Sequence, residues 1–413
     1  MTELLDPRFA HLPTPRPATH SARSFKKWLR LNLLRLVGLT MARHGASERR
    51  ARILLIRPDH LGDVLFLTPA LRYLRNLWPQ AHISLLVGPW GRAAVENNPH
   101  VDEILVCDFP GFTRTPKDSL WQPYRYLYQE AKKLKAQRFD LAVILRFDHW
   151  WGAWLAAAAE IPRRFGYDAP EVTPFLTDPL PYVDQRHEVE QNWRLVHYAW
   201  SMGALKVIDA WSEAKIIGRL EFLIPEADWA WAESWLQQQG ILPDRPLIII
   251  HPGAGAAVKL WRPEAWQELA QILIDQHQGQ IVLTGGPAEV ESGREIASKI
   301  TPAPPLAAGQ TTLAQLAALM ANANLAVGPD TGPLKLAAAV GTPTVELYGP
   351  VDVHKFGPWG DPTQQRYVTS GLGCIPCNYL DYQTDEIPAH FCVRGLSVQW
   401  VLREALDLLQ QNM

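Results

Sequence analysis

The sequence predicts an α/β protein built from two successive Rossmann-like domains facing a cleft. Two observations predict it. Short apolar runs alternate with helical patterns, the mark of parallel strands joined by crossover helices. That pattern runs once from near Ala51 and again from near Leu247. In each half, a strand is followed by a turn rich in Gly, Pro and Asp that opens a helix. Ligands bind outside the carboxyl ends of strands in such sheets.

The composition narrows the function. A chain of 413 residues is long enough for two ordinary domains. Forty Lys and Arg face 42 Asp and Glu, so no global charge calls for nucleic acid. Four cysteines form no disulfide scaffold and fit a reducing compartment. No apolar run is long enough to span a bilayer, and there is no short-period repeat or low-complexity tract.

Residues 1 to about 22 carry Pro13, Pro15 and Pro17 among polar residues and are expected to be disordered. From Ser24 to Arg43, Phe25, Trp28, Leu29, Leu33, Leu36, Val37 and Met41 recur at helical spacing. Lys26, Lys27, Arg30, Arg35 and Arg43 are interspersed. That pattern suits a basic amphipathic helix in peripheral contact with the inner face of the cytoplasmic membrane. The competing reading packs its apolar face on its own domain. The charges interrupt any signal-peptide core, which places the chain in the cytoplasm.

In the first half, Ile53–Arg57, Ile83–Val87, Glu103–Cys107 and Phe139–Phe147 read as strands, and Val64–Trp78 as one helix. Trp150, Trp151 and Trp154 start a further helix and read as packing residues ahead of sugar-stacking ones. His187-Glu188-Val189-Glu190 opens another, facing either a cleft or solvent. Ala204 to Pro225 is mixed. In the second half, strand Leu247–Ile250 leads into His251-Pro252-Gly253-Ala254-Gly255. Strand Gln280–Thr284 leads into Gly285-Gly286-Pro287, and Ala323–Val327 into Asp330-Thr331-Gly332. A last strand, Thr344–Tyr348, and an amphipathic helix, Ser397–Gln411, complete the pattern. The expected organisation is an extension over 1–50, domains over 51–218 and 219–396, and a terminal helix over 397–413.

Taken together and in order, these motifs resemble glycosyltransferase family nine, the heptosyltransferases of bacterial lipopolysaccharide cores. The carriers are Arg57-Pro58-Asp59-His60-Leu61-Gly62-Asp63-Val64 with Thr68-Pro69-Ala70-Leu71, then Asn98-Pro99-His100-Val101-Asp102-Glu103. His251 to Gly255 with Lys259 and Trp261, then Gly285-Gly286-Pro287 and Asp330-Thr331-Gly332-Pro333, complete them. The resemblance runs from about Ile53 to Pro350. It implies a GT-B fold with an acceptor domain followed by a donor domain. It also implies inverting transfer from a nucleotide-diphosphate sugar, with no metal and no cofactor.

The residues suit that chemistry. Inverting transfer needs a base for the acceptor hydroxyl, and Asp63 matches the family's candidate. Its competing role is a cap for the helix that follows. Lys259 matches the family's phosphate-binding lysine, and Thr331 and Gly332 would offer backbone N–H groups at a helix start. Gly253 and Gly255 let their loop approach a ligand. Glu289 matches a position that reaches the nucleotide ribose. Asp330 matches the donor-site aspartate, bonding sugar hydroxyls or the Lys259 ammonium. Lys335 stands where the family usually has His; it keeps a positive charge near the phosphates but cannot act as a neutral imidazole.

No Asp-x-Asp cluster near these motifs would hold a divalent ion on a diphosphate. Cys374, Cys377 and Cys392 make an incomplete zinc set unless Cys107 or His390 completes it. The partners implied are a nucleotide sugar, an ADP-sugar first, and a lipid-linked or oligosaccharide acceptor. Three readings stay open: heptosyl transfer in envelope glycan assembly, transfer of another sugar in capsule or exopolysaccharide assembly, and nucleotide-sugar binding without catalysis.

Overall fold

The computed structural model describes residues 4–14, 25–41, 52–113, 119, 121–202 and 218–411. The chain divides into two compact units, residues 20–218 and residues 1–19 with 219–413.

The first unit holds a six-stranded parallel sheet: β1 Arg52–Arg57, β2 His82–Val87, β3 Glu103–Val106, β4 Leu141–Ile144, β5 Arg163–Tyr167 and β6 Asp178–Leu180. Its order is β3-β2-β1-β4-β5-β6. The sheet grows one way from β1 to β3 and the other way from β4 to β6, so β1 and β4 flank the point where the winding reverses. Both are apolar runs buried along their length, as strands covered on both faces require. The strands β5 and β6 escape a reading by hydropathy, since Arg163, Arg164 and Pro179 break the apolar pattern. Arg164 is nonetheless buried, donating to the carbonyls of Phe175 (2.7 Å) and Ile161 (2.6 Å).

The expected single helix from Val64 to Trp78 is two, Leu61–Leu65 and Thr68–Leu77. Pro69 has no N–H to continue the ladder, and the Thr68 hydroxyl donates to the Leu65 carbonyl (2.7 Å) at the break. The Trp-rich helix is Trp150–Ala158, with Trp151 and Trp154 in the core.

The second unit holds a five-stranded parallel sheet: β7 Leu247–Ile250, β8 Gln280–Leu283, β9 Leu325–Pro329, β10 Thr344–Tyr348 and β11 Gln365–Thr369. The order is β11-β10-β9-β7-β8, so its winding reverses between β7 and β9. The polar edge strand β11 carries no apolar signal. The final helix, Val398–Gln411, lies in this unit's core through Val401, Leu402, Ala405, Leu408 and Leu409, so it is part of the domain and not a separate segment.

The expected extension over 1–50 is not a domain apart. Its start belongs to the second unit. Leu5 bridges to Leu396, the Asp6 N–H donates to the Gly395 carbonyl (2.8 Å), and the Asp6 carboxylate takes a buried bond from Arg262. Phe9 packs on Phe391 with ring centroids 5.6 Å apart. These contacts replace the expected disorder over residues 4–14. The rest of that expectation, residues 15–22, lies outside the described residues, as do residues 203–217 of the mixed stretch. The helix expected from Ser24 to Arg43 spans Phe25–Leu39 and belongs to the first unit; Ser24 and Arg43 are outside the described residues.

Candidate active site

Each winding reversal carries a cluster of charges at the carboxyl ends of its two central strands, where open parallel sheets place their ligands.

In the first unit the cluster is organised by Arg57, the last residue of β1, which is buried. Its guanidinium meets three carboxylates: Asp59 at 2.8 Å, Glu188 at 2.7 Å and Asp63 at 3.6 Å. It also donates to the Asn192 side-chain oxygen (3.0 Å) and the Leu145 carbonyl (3.3 Å). Arg146, just after β4, pairs with Asp59 and with Asp148 at 2.6 Å. Glu188 opens the helix Glu188–Trp200, whose N-cap His187 accepts from the Val189 N–H (3.1 Å). The sequence left this helix start between cleft and solvent; it is buried, and Glu188 faces Arg57.

Of the three carboxylates on Arg57, only Asp63 is open. Its side chain is 31% exposed, against 2% for Asp59 and 10% for Glu188. Asp63 lies in the first turn of Leu61–Leu65, whose N-cap is His60, so it is not the capping residue. Burial works against the Asp59 charge, but Arg57 and Arg146 outweigh it and hold that carboxyl below its ordinary range. Asp63 goes the other way. Its crowded surroundings and the Asp59 charge, helped by Glu188, outweigh the two arginines and push it up to about 7. His149 sits beside this cluster with its ring edge-on to Phe109 (5.2 Å) and Phe112 (5.6 Å). Burial pushes it down to about 3, so the imidazole is neutral.

In the second unit, Lys259 ends a short turn after β7 and donates to Asp330 (2.8 Å), the residue after β9. Lys335, buried, lies 3.7 Å from the other Asp330 oxygen and also pairs with Glu346 and the Tyr348 hydroxyl, both on β10. Burial opposes the Asp330 charge, yet Lys259 and Lys335 hold its carboxyl below the ordinary range. Lys335 is therefore buried among Asp330, Glu346 and Tyr348. Thr331 caps the helix Gly332–Ala339 through its backbone position alone; its hydroxyl turns back to the Pro329 carbonyl (3.2 Å). The Gly332 N–H, at the first helical position, has no acceptor inside the helix.

Glu289 closes the loop after β8, accepting from the Gly286 N–H (2.6 Å). Gly253 has a specific reason to be glycine: a Cβ there would lie 1.7 Å from a Glu289 carboxylate oxygen. The missing side chain makes room for Glu289. A Cβ on Gly255 would meet nothing. His251 is buried against the Thr284 hydroxyl (3.0 Å), and burial pushes it down to about 4.

No group of three or more His, Cys, Asp or Glu among the described residues is placed to hold a metal ion. All four cysteines are free, with Cys107 in the first unit and the other three in the second. Burial pushes the Cys392 thiol up to about 12, and Cys377 lies against the Tyr382 hydroxyl (3.7 Å).

The sequence matches the profile of glycosyltransferase family 9 (heptosyltransferase) over residues 127–382. The chain belongs to this family. It is a glycosyltransferase, and its two Rossmann-like halves form a GT-B fold. Among relatives, lipopolysaccharide heptosyltransferase 2 of Escherichia coli is 26% identical, over 72% of this chain and 83% of the relative. Among solved structures, a family member from Veillonella parvula superposes with a TM-score of 0.70 at 23% identity, over 89% of this chain and all of that one. The E. coli ADP-heptose lipopolysaccharide heptosyltransferase II gives 0.68 at 24%, over 87% of this chain and 99% of that one. The profile match takes in Lys259, Glu289, Asp330 and Lys335. It begins after Asp63, whose place in the site rests on its own surroundings and on the motif around it.

Proposed function

We propose that this glycosyltransferase moves a sugar from a nucleoside-diphosphate donor to a hydroxyl of an envelope glycan by a single inverting displacement. Asp63 takes the hydroxyl proton as the oxygen bonds to the anomeric carbon. The bond from that carbon to the diphosphate breaks, and the nucleoside diphosphate leaves with the electron pair. The observation that carries this reading is the contrast within the Arg57 cluster: one open carboxylate, tuned near neutrality, among buried ones. A base poised near working pH combines a useful ionised fraction with good proton affinity. The Asp330 cluster supports the donor half. Lys259 meets the diphosphate as a cation, and Asp330 orients it. Glu289 lies beside the Gly253 loop, where it would meet the nucleotide ribose. Metal independence follows as part of the proposal, since Lys259 and the helix start at Gly332 supply the positive charge that departing phosphate needs.

The names of the relatives favour heptose carried on ADP and a lipopolysaccharide-core-like acceptor; a cytoplasmic site of action is part of the same proposal. The Lys335–Asp330–Glu346 arrangement favours one alternative, a different nucleotide-activated sugar, because Lys335 occupies the family's usual His position. Thermal shift separates them, because a ligand that binds the native state raises Tm. ADP-heptose is expected to raise Tm more than GDP- or UDP-sugars do. A shift with a GDP- or UDP-sugar alone would transfer the assignment to the alternative, and no shift with any of them would remove the donor site.

A further inference from the structure

The helix Phe25–Leu39 is apolar on two opposite faces. One face is accounted for: Leu34 is buried in the first unit's core, Val37 and Met41 pack against it, and the helix lies along the turn Thr173–Phe175. Arg30 ties it down further, pairing with Glu171 (2.7 Å) and lying 5.8 Å over the Trp150 ring. The other face is not covered by any of the described residues. Phe25, Trp28, Leu29, Leu33, Leu36 and Leu39 are between 50% and 83% exposed. At about 100° per residue these six fall within an arc of about 140°, a continuous stripe on the side away from Leu34. A soluble surface rarely exposes so long an apolar stripe without a partner.

Two features say what covers it. The helix carries Lys26, Lys27, Arg30 and Arg35 and no acidic residue, and on the same wheel the exposed Arg35 flanks the stripe. The same unit exposes a further aromatic side chain, near the ring that lies under Arg30. Trp150 lies 6.5 Å from Tyr124, which lies 6.2 Å from Trp121, itself 73% exposed. Trp and Tyr with flanking cations are the residues that settle at headgroup depth. No helix among the described residues is long and apolar enough to cross a membrane, so the fit is to a surface.

We propose that this stripe docks the enzyme on an anionic lipid bilayer, with the six apolar side chains in the interface and the flanking cation on the headgroups. The opposite face of the same helix holds the first unit, so docking fixes that unit, with Asp63, close to the bilayer surface.

Flotation of the full chain with vesicles of phosphatidylethanolamine and phosphatidylglycerol tests this, against phosphatidylcholine vesicles and with sedimentation equilibrium alongside. The full chain is expected to float with the anionic vesicles, less so as salt rises. Leu29→Gln/Leu33→Gln/Leu36→Gln should lose roughly tenfold or more in vesicle binding with Tm unchanged. Arg35→Glu, at an exposed position, provides a second readout if the triple variant melts low: it should weaken binding to anionic vesicles alone. The proposal is overturned if the wild type floats with neither vesicle, if the variants bind as well as wild type, or if the wild type self-associates through the stripe and the triple variant is monomeric.

Discussion

The two charged clusters use the same ingredients to opposite ends. Around Asp330, two lysines converge on one carboxylate and keep it ionised despite burial. Around Asp63, three carboxylates share Arg57, and crowded surroundings with the Asp59 and Glu188 charges push Asp63 up toward neutrality. The difference teaches that burial raises both aspartates and that the balance of cations against carboxylates around each decides which one stays ionised. A permanently ionised Asp330 suits fixed orientation of Lys259. A proton-exchanging Asp63 suits a base.

The sharpest way to break this contrast is Asp63→Asn. Transfer should fall by about 10²–10⁴-fold, the usual worth of a general base, with nucleotide affinity unchanged. The same variant should be more stable than wild type at alkaline pH. A raised carboxyl contributes stability that is present below its ordinary value of 3.8 and is lost as pH rises through about 7. A higher Tm than wild type at pH 8, with the gap closing toward pH 5, is the expected outcome of a melting series.

Next is Lys335→Met, which would leave Glu346 buried on β10 without its cation. Removing one partner of a buried pair costs about 3–5 kcal/mol, so a denaturant melt should show a large loss of stability. A neutral result would mean that Lys335 is held for the ligand and not for the fold. Lys259→Ala should weaken nucleoside-diphosphate binding by about 1.5–3 kcal/mol, the range for a hydrogen bond to a charged group, by isothermal titration. An unchanged Kd would place Lys259 outside the donor site. The smallest effect expected is from Gly253→Ala. The new methyl displaces the Glu289 carboxylate, raising the donor KM a few-fold at constant kcat.

What the sequence made legible follows from where each residue's partner lies. Strands such as β1 and β7 were visible because burial on both faces leaves an unbroken apolar run. The Lys259–Asp330 pair was visible as an option because both residues sit in turns that follow strands. The partners of Asp63 were not. Arg57 reads as the polar end of a strand and Glu188 as a helix start facing either cleft or solvent, yet they bond to each other across 131 positions of chain, and hydropathy gives no sign of a charge buried by its partner. The role of Gly253 was hidden for the same reason, since the atom it makes room for belongs to Glu289. The helix at Phe25–Leu39 showed its apolar residues plainly, but only packing separates the face around Leu34 from the one left open.

The central claim is that Asp63 is the base, and the pH dependence of kcat/KM reports on it directly. An ionised Asp63 is the active form, so kcat/KM should fall tenfold per unit below an apparent pKa of about 7 and level off above it. Affinity for the nucleotide sugar, whose diphosphate diester has no group titrating there, should stay flat across the same interval, since Asp330 stays ionised. In Asp63→Asn the residual rate should lose that acidic limb. A wild-type plateau persisting down to pH 5, or a limb that survives in Asp63→Asn, would contradict the assignment of Asp63.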